Sequence, residues 1–67
     1  MRLSREMVIE RLKAGEKLKE SGNTMIFRDG SSCTGATEIY LRGSGLVEIT
    51  GEIGRQVYSW KYGSQQN

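Results

Sequence analysis

The side chains best placed for chemistry in this chain are basic residues and hydroxyls of the kind that contact phosphate. Guanidinium and ammonium groups form charge-assisted hydrogen bonds with phosphate oxygens. Free backbone N–H groups at the start of a helix also favour an anion. The candidate nucleic-acid contacts are therefore Arg28, Ser32, Thr34, Arg42, Arg55 and Lys61. Each has a structural alternative, which is a helix cap for the hydroxyls and a solvated surface charge for the basic residues.

Catalytic and metal-binding patterns are missing from the sequence. The chain has no histidine to act as a base near neutral pH, and Cys33 is its only cysteine. Asp29 lies in a predicted turn without a second carboxylate placed beside it by any motif. The glycines at 43 and 45 lack the lysine and the following helix of a phosphate-binding loop. We therefore expect no enzymatic activity, no metal site and no cofactor.

Size and composition indicate one small domain. The chain has 67 residues, a net charge of +2 and a hydrophobic fraction of 36%. We expect a single domain over residues 1–62, followed by a flexible polar tail over 63–67. A core this small is marginally stable, and a homodimer would add buried surface. No apolar run approaches the roughly 18 residues of a membrane span. A cytoplasmic location is the expectation.

The first helix is predicted to begin at Ser4, whose hydroxyl is a good cap for free backbone N–H groups. Val8, Ile9 and Leu12 form its apolar stripe. Its end is open: it stops at Gly15, or it continues to Gly22. In the first case residues 17–20 and 24–28 form two strands joined by a tight turn at Gly22-Asn23.

Residues 31–43 decide the fold. Cys33, Thr37 and Leu41 are spaced four apart, as on one face of a helix, with Ser32 as the cap and Gly43 or Gly45 as the stop. Thr37, Ile39 and Leu41 also alternate as in a strand, and intrinsic propensity favours the strand. The spacing and the glycine stop lead us to predict the helix. Two further strands follow, over 46–50 and 56–61.

The chain also contains a faint internal repetition. Residues 12–15 precede one predicted hairpin and residues 41–46 precede the other, which allows two helix–hairpin units. Basic residues from Arg2 to Lys19 interleave with glutamates. We interpret them mainly as ion pairs on an exposed helix face, and alternatively as an electrostatic footprint for nucleic acid.

A resemblance to a known family covers about residues 8–60. The matching segments are residues 9–18, Arg28-Asp29-Gly30, the trio Cys33, Thr37 and Leu41, Gly45-Leu46-Val47-Glu48, and Gln56-Val57-Tyr58. The chain resembles small winged-helix proteins of phages and mobile elements. That resemblance implies an α+β winged-helix-like domain, in the order helix, strand or hairpin, helix, β-hairpin. It also implies a DNA-binding regulatory function without catalysis. The chain departs from the family in one respect. A full helix-turn-helix has a second helix packed before the recognition helix, but residues 31–43 have room for only one helix, so the other is missing or reduced to a turn.

Two alternatives remain open. If residues 37–42 are a strand, the chain is similar to Sm-like barrels, which form rings and bind RNA; the matching segments are 26–30, Gly35 and Val57-Tyr58. If Ile53 is exposed at its loop tip, it marks a contact with a protein partner, as in a small inhibitor of a host protein. Tyr58, Trp60 and Tyr62 alternate along the last strand, and we expect them in the core rather than as a base-stacking platform.

Overall fold

The computed structural model describes residues 2–62, and the predicted tail at 63–67 lies outside the described residues. The described part is an α+β arrangement of two helices and six strands in one mixed sheet. In chain order the elements are β1 (Arg2–Leu3), α1 (Arg5–Lys13), β2 (Leu18–Ser21), β3 (Thr24–Ile26), β4 (Ser32–Cys33), α2 (Gly35–Ser44), β5 (Val47–Thr50) and β6 (Val57–Trp60).

The N-terminal helix begins where the sequence predicts. The Ser4 hydroxyl accepts a hydrogen bond from the Met7 backbone N–H at 3.3 Å. Helix α1 then ends at Lys13, and Gly15 takes a left-handed conformation with φ of 100°. The shorter of the two predicted helices is therefore confirmed. Gly22-Asn23 forms the turn between β2 and β3, which pair antiparallel with Lys19 opposite Ile26.

The middle of the chain is helical, as predicted, although its cap is different. Thr34, not Ser32, caps α2, and its hydroxyl accepts a hydrogen bond from the Thr37 backbone N–H at 3.2 Å. Ser32 lies instead on β4, because the chain must pair with β3 before it turns into the helix. Gly45 ends the helix with φ of 75°, a left-handed conformation that glycine adopts without strain. The cap, the glycine stop and burial outweigh strand propensity here, so the strand needed for a barrel is not formed.

The strand order across the sheet is β1-β4-β3-β2-β6-β5. The β1–β4 pair is parallel, and the other four pairs are antiparallel. A two-residue strand, a helix and a hairpin occur twice in succession, in agreement with the internal repetition. Because β6 pairs with β2, the C-terminal hairpin is one edge of the common sheet rather than a separate wing.

The core lies on one face of this sheet. A single buried cluster joins α1 and α2 to the strands, and it comprises Leu3, Val8, Leu12, Leu18, Met25, Phe27, Cys33, Leu41, Val47 and Tyr58. The buried strand residues are in register with one another, so both helices cover the same face. The opposite face carries neither helix. We call it the helix-free face.

Of the three aromatic residues that are predicted in the core, Tyr58 and Trp60 contribute to it and Tyr62 does not. Tyr58 is completely buried and Trp60 packs against the core. Tyr62 is 67% exposed, because β6 ends at Trp60 and the chain turns there. Within residues 2–62, no helix has the length and apolar character needed to cross a membrane.

Candidate nucleic-acid interface

The predicted basic contacts lie at two different ends of the sheet. Strand β2 starts where β3 and β6 end, so Arg28, two residues after β3, and Lys61, one residue after β6, lie at that end. Arg55 precedes β6 in the loop at the other end, and Arg42 reaches Gln56 there. The four predicted basic residues are therefore divided between two ends of the sheet and do not form one cluster.

Arg42 on α2 is already engaged by other side chains. Its guanidinium donates to Glu38 Oε2 at 3.0 Å, one helical turn away, and to Gln56 Oε1 at 3.2 Å. The hydrogen bond with Glu38 raises the pKa of Arg42 above its usual value. The Arg42 guanidinium also lies over the ring of Tyr58, with its Cζ 5.9 Å from the ring centroid. A phosphate contact by Arg42 would compete with these partners.

The two predicted hydroxyls have different surroundings. Thr34 Oγ1 accepts from the Thr37 backbone N–H and lies 3.2 Å from Thr37 Oγ1, so its role is to cap α2. Ser32 is half-buried on β4, opposite Arg2 on one side and Ile26 on the other. It therefore faces away from the helices and belongs to the helix-free face.

A carboxylate holds the loop between β5 and β6 in place. Glu20 Oε1 accepts hydrogen bonds from the backbone N–H of Gly54 at 3.0 Å and of Gln56 at 3.2 Å. Within this loop, Ile53 is 93% exposed and Arg55 is also exposed. The loop thus presents an apolar and a basic side chain on a fixed backbone.

The clearest cluster of free basic groups lines an open groove of about 900 Å³ at the start of β2. Its lining consists of Gly15, Glu16, Lys17, Lys19, Arg28 and Asp29. Among residues 2–62, none of the ion pairs involves Lys17, Lys19 or Arg28. We call these three residues the cationic cluster.

The two carboxylates of the groove are bound by a single guanidinium. Arg11 donates to Asp29 Oδ2 at 2.7 Å and to Glu16 Oε2 at 3.1 Å, while it lies 4.8 Å from the centroid of the Phe27 ring. Asp29 also accepts from the Ser31 backbone N–H at 2.9 Å. The Arg11 hydrogen bond, followed by that of Ser31, holds the pKa of Asp29 well below its usual range. Both carboxylates are therefore paired with Arg11 rather than with the cationic cluster.

Sequence reasoning found one member of this cluster and missed the other two. The sequence predicts Arg28 as a contact, whereas its pattern of alternating charges indicates mainly ion pairs on a helix for Lys17 and Lys19. They lie instead before and within β2, where residues two apart face the same side. The Lys-x-Lys spacing, followed after the Gly22-Asn23 turn by Arg28, was the available signal.

Cys33, the one thiol, lies in the core and not in the groove. Burial, followed by the charge of Glu38, raises its pKa above the usual value. The thiol form therefore dominates near neutral pH, and nucleophilic chemistry by this residue is disfavoured.

Comparisons with protein-family models, with curated proteins and with solved structures found no match for this chain.

Proposed function

We propose that this protein is a non-catalytic nucleic-acid-binding protein that holds phosphates at the cationic cluster. The observation that carries the proposal is that Lys17, Lys19 and Arg28 line one open groove without any ion-pair partner among the described residues. Three like charges in one groove repel one another, and a phosphate backbone relieves that repulsion. The groove is therefore complementary to a polyanion.

The winged-helix resemblance favours DNA as the nucleic acid and a regulatory role for its binding. The succession helix, hairpin, helix, hairpin supports the resemblance at the level of element order. In the usual docking of such proteins a helix enters the major groove. Here Arg42 of α2 is engaged by Glu38 and Gln56, so the cationic cluster is the better source of phosphate contacts.

The test is fluorescence anisotropy with labelled DNA, in single-stranded and duplex form, at several salt concentrations. Three phosphate contacts predict that log K falls against log salt with a slope of about −2 to −3. A Lys17→Glu, Arg28→Glu double variant is expected to weaken binding at least about tenfold, which corresponds to about 1.4 kcal/mol. The control is an Arg42→Glu, Arg55→Glu double variant, which makes the same change in net charge at the other end of the sheet. Absence of binding to either DNA at low salt, or equal losses in both variants, contradicts the proposal.

A protein partner is the second candidate function, and the exposure of Ile53 favours it. An isoleucine that is 93% exposed at the tip of a loop held by Glu20 offers apolar surface that a partner's pocket would bury. A host protein inhibited by this contact is the partner class proposed. An Ile53→Asp variant that loses a captured partner, while its DNA binding is unchanged, would support this candidate over the first.

A further inference from the structure

We infer that the nucleic acid this protein takes is single-stranded DNA, laid across the helix-free face of the sheet. This inference rests on the proposed function and specifies its ligand. The strand register places a continuous row of side chains on that face. Paired across all six strands, the row is Arg2, Ser32, Ile26, Lys19, Val57 and Thr50.

Lys19 is the centre of this row and belongs to the cationic cluster. Its neighbours in the row are Ile26 on β3 and Val57 on β6. Both apolar side chains are only half-buried, since neither helix covers them. A cation is thus flanked on each side by accessible apolar surface.

That combination matches a single strand better than a duplex. In a duplex the bases are stacked inside and the outer surface offers mainly phosphates and sugars. A single strand exposes base faces beside its phosphates, so it can contact a cation and apolar side chains together. The face has no aromatic side chain in the row, so affinity comes from phosphate contacts and apolar contact rather than from stacking.

Helix α2 is a poor surface for a duplex. Apart from Arg42, the exposed residues of α2 are uncharged, and Ile39 is 72% exposed. Arg42 donates to Glu38 and Gln56, and Glu38 in the first turn repels phosphate. A helix that enters the major groove needs cations that this helix does not offer.

The size and charge of the helix-free face also fit a short single strand. Five strand spacings make the row about 24 Å wide, comparable to the shortest single-strand sites of about four nucleotides. Among strand residues, alternation puts one acidic side chain, Glu48, on this face, where it lies on edge strand β5 opposite Ser59. It is outside the row of Lys19, and its charge directs the phosphates toward β2 and β3.

The experiment compares a labelled oligothymidylate with a duplex of the same length at low salt. The intact chain is expected to bind the oligothymidylate at least about tenfold more tightly, a difference of about 1.4 kcal/mol. Lys19→Glu should lower that affinity at least about tenfold. Lys13→Glu, an identical charge change on the helix-covered side, where the ammonium lies 5.7 Å from the centroid of Trp60, should change it about twofold or less. Circular dichroism verifies that both variants are folded.

A second variant tests the apolar contact. Val57→Ser removes apolar surface without changing charge, so it should weaken single-strand binding several-fold and leave duplex binding unchanged. Preference for the duplex, with loss on Lys17→Glu, overturns this inference and leaves the proposed function standing. Single-strand binding that is insensitive to Lys19→Glu also overturns the inference. No binding to either DNA overturns both.

Discussion

Arg11 Nη2 lies 2.7 Å from Asp29 Oδ2 and ties helix α1 to the turn that follows β3. The same guanidinium binds Glu16 and covers the ring of Phe27, which is itself buried. One basic residue thus fixes three segments around the groove. It also leaves the cationic cluster as the groove's unpaired charge.

Stability should therefore depend on pH through Asp29. Its pKa is lower in the folded chain than the value of about 3.9 expected when unfolded. The unfolded chain binds the proton first as pH falls, so this stabilisation is complete above about pH 4 and is lost progressively below it. Urea unfolding of the parent and of Asp29→Asn should show a difference in midpoint at pH 7 that narrows below pH 4. A difference independent of pH would show that the Asp29 charge is not responsible.

Thr34 and Ser32 are both candidate helix caps from the sequence, but only Thr34 should stabilise α2. Thr34→Ala removes the acceptor for the Thr37 backbone N–H and should lower the free energy of unfolding by about 1 kcal/mol. Ser32→Ala is the matched control and should change it by less than about 0.5 kcal/mol, because Ser32 caps no helix. Chemical denaturation measures both. A larger loss in the free energy of unfolding from Ser32→Ala than from Thr34→Ala would contradict Thr34 as the cap.

Gly51 should tolerate substitution less well than Gly45. Both have positive φ, of 91° and 75°, so alanine is strained at either position by about 1 kcal/mol. At Gly51 a Cβ would also lie 2.7 Å from the Arg55 backbone oxygen, whereas at Gly45 it would meet nothing within 4 Å. Gly51→Ala should therefore lower the unfolding midpoint more than Gly45→Ala does. Equal midpoints would mean that the β5–β6 loop rearranges freely.

The loop held by Glu20 should open when that carboxylate is removed. Glu20→Ala deletes the acceptor of two backbone N–H groups, and amide hydrogen exchange at Gly54 and Gln56 should become at least several-fold faster. Glu20→Gln keeps a carbonyl oxygen and should retain most of the protection. Unchanged exchange in Glu20→Ala would show that the loop is held by other contacts.

The Tyr58 hydroxyl offers a test of the core. Tyr58 is fully buried, and its Oη has no hydrogen-bond partner among the described residues. Burial is the largest cause that raises its pKa. Tyr58→Phe removes an unsatisfied polar group and should leave the free energy of unfolding equal or raise it by about 1 kcal/mol. Tyr58→Ala should lower it by about 3 to 5 kcal/mol through lost packing. Thermal unfolding measures both variants. A loss of more than about 1 kcal/mol in the free energy of unfolding of Tyr58→Phe would show that the hydroxyl has a hydrogen-bond partner.

The sequence by itself determined part of the local structure, because the signals for that part are local. Ser4 and the stripe of Val8 and Leu12 set the start of the first helix, whereas the sequence leaves its end, and with it the turn at Gly22-Asn23, open between two alternatives. Thr37, Leu41 and Gly45 fixed the second helix against the strand propensity of its residues. These depend on interactions between residues at most a few positions apart.

Only the tertiary structure decided which of these elements share a sheet and hence which charges meet. The pairing of β6 with β2 separates Arg28 and Lys61 from Arg42 and Arg55, at opposite ends of the sheet. Lys19 faces away from the helices because its neighbour Leu18 is buried beneath them. Arg11 binds a carboxylate 18 residues away, and no spacing in the sequence predicts that pair. Long-range strand register and side-chain burial depend on the whole chain, and they place the candidate interface.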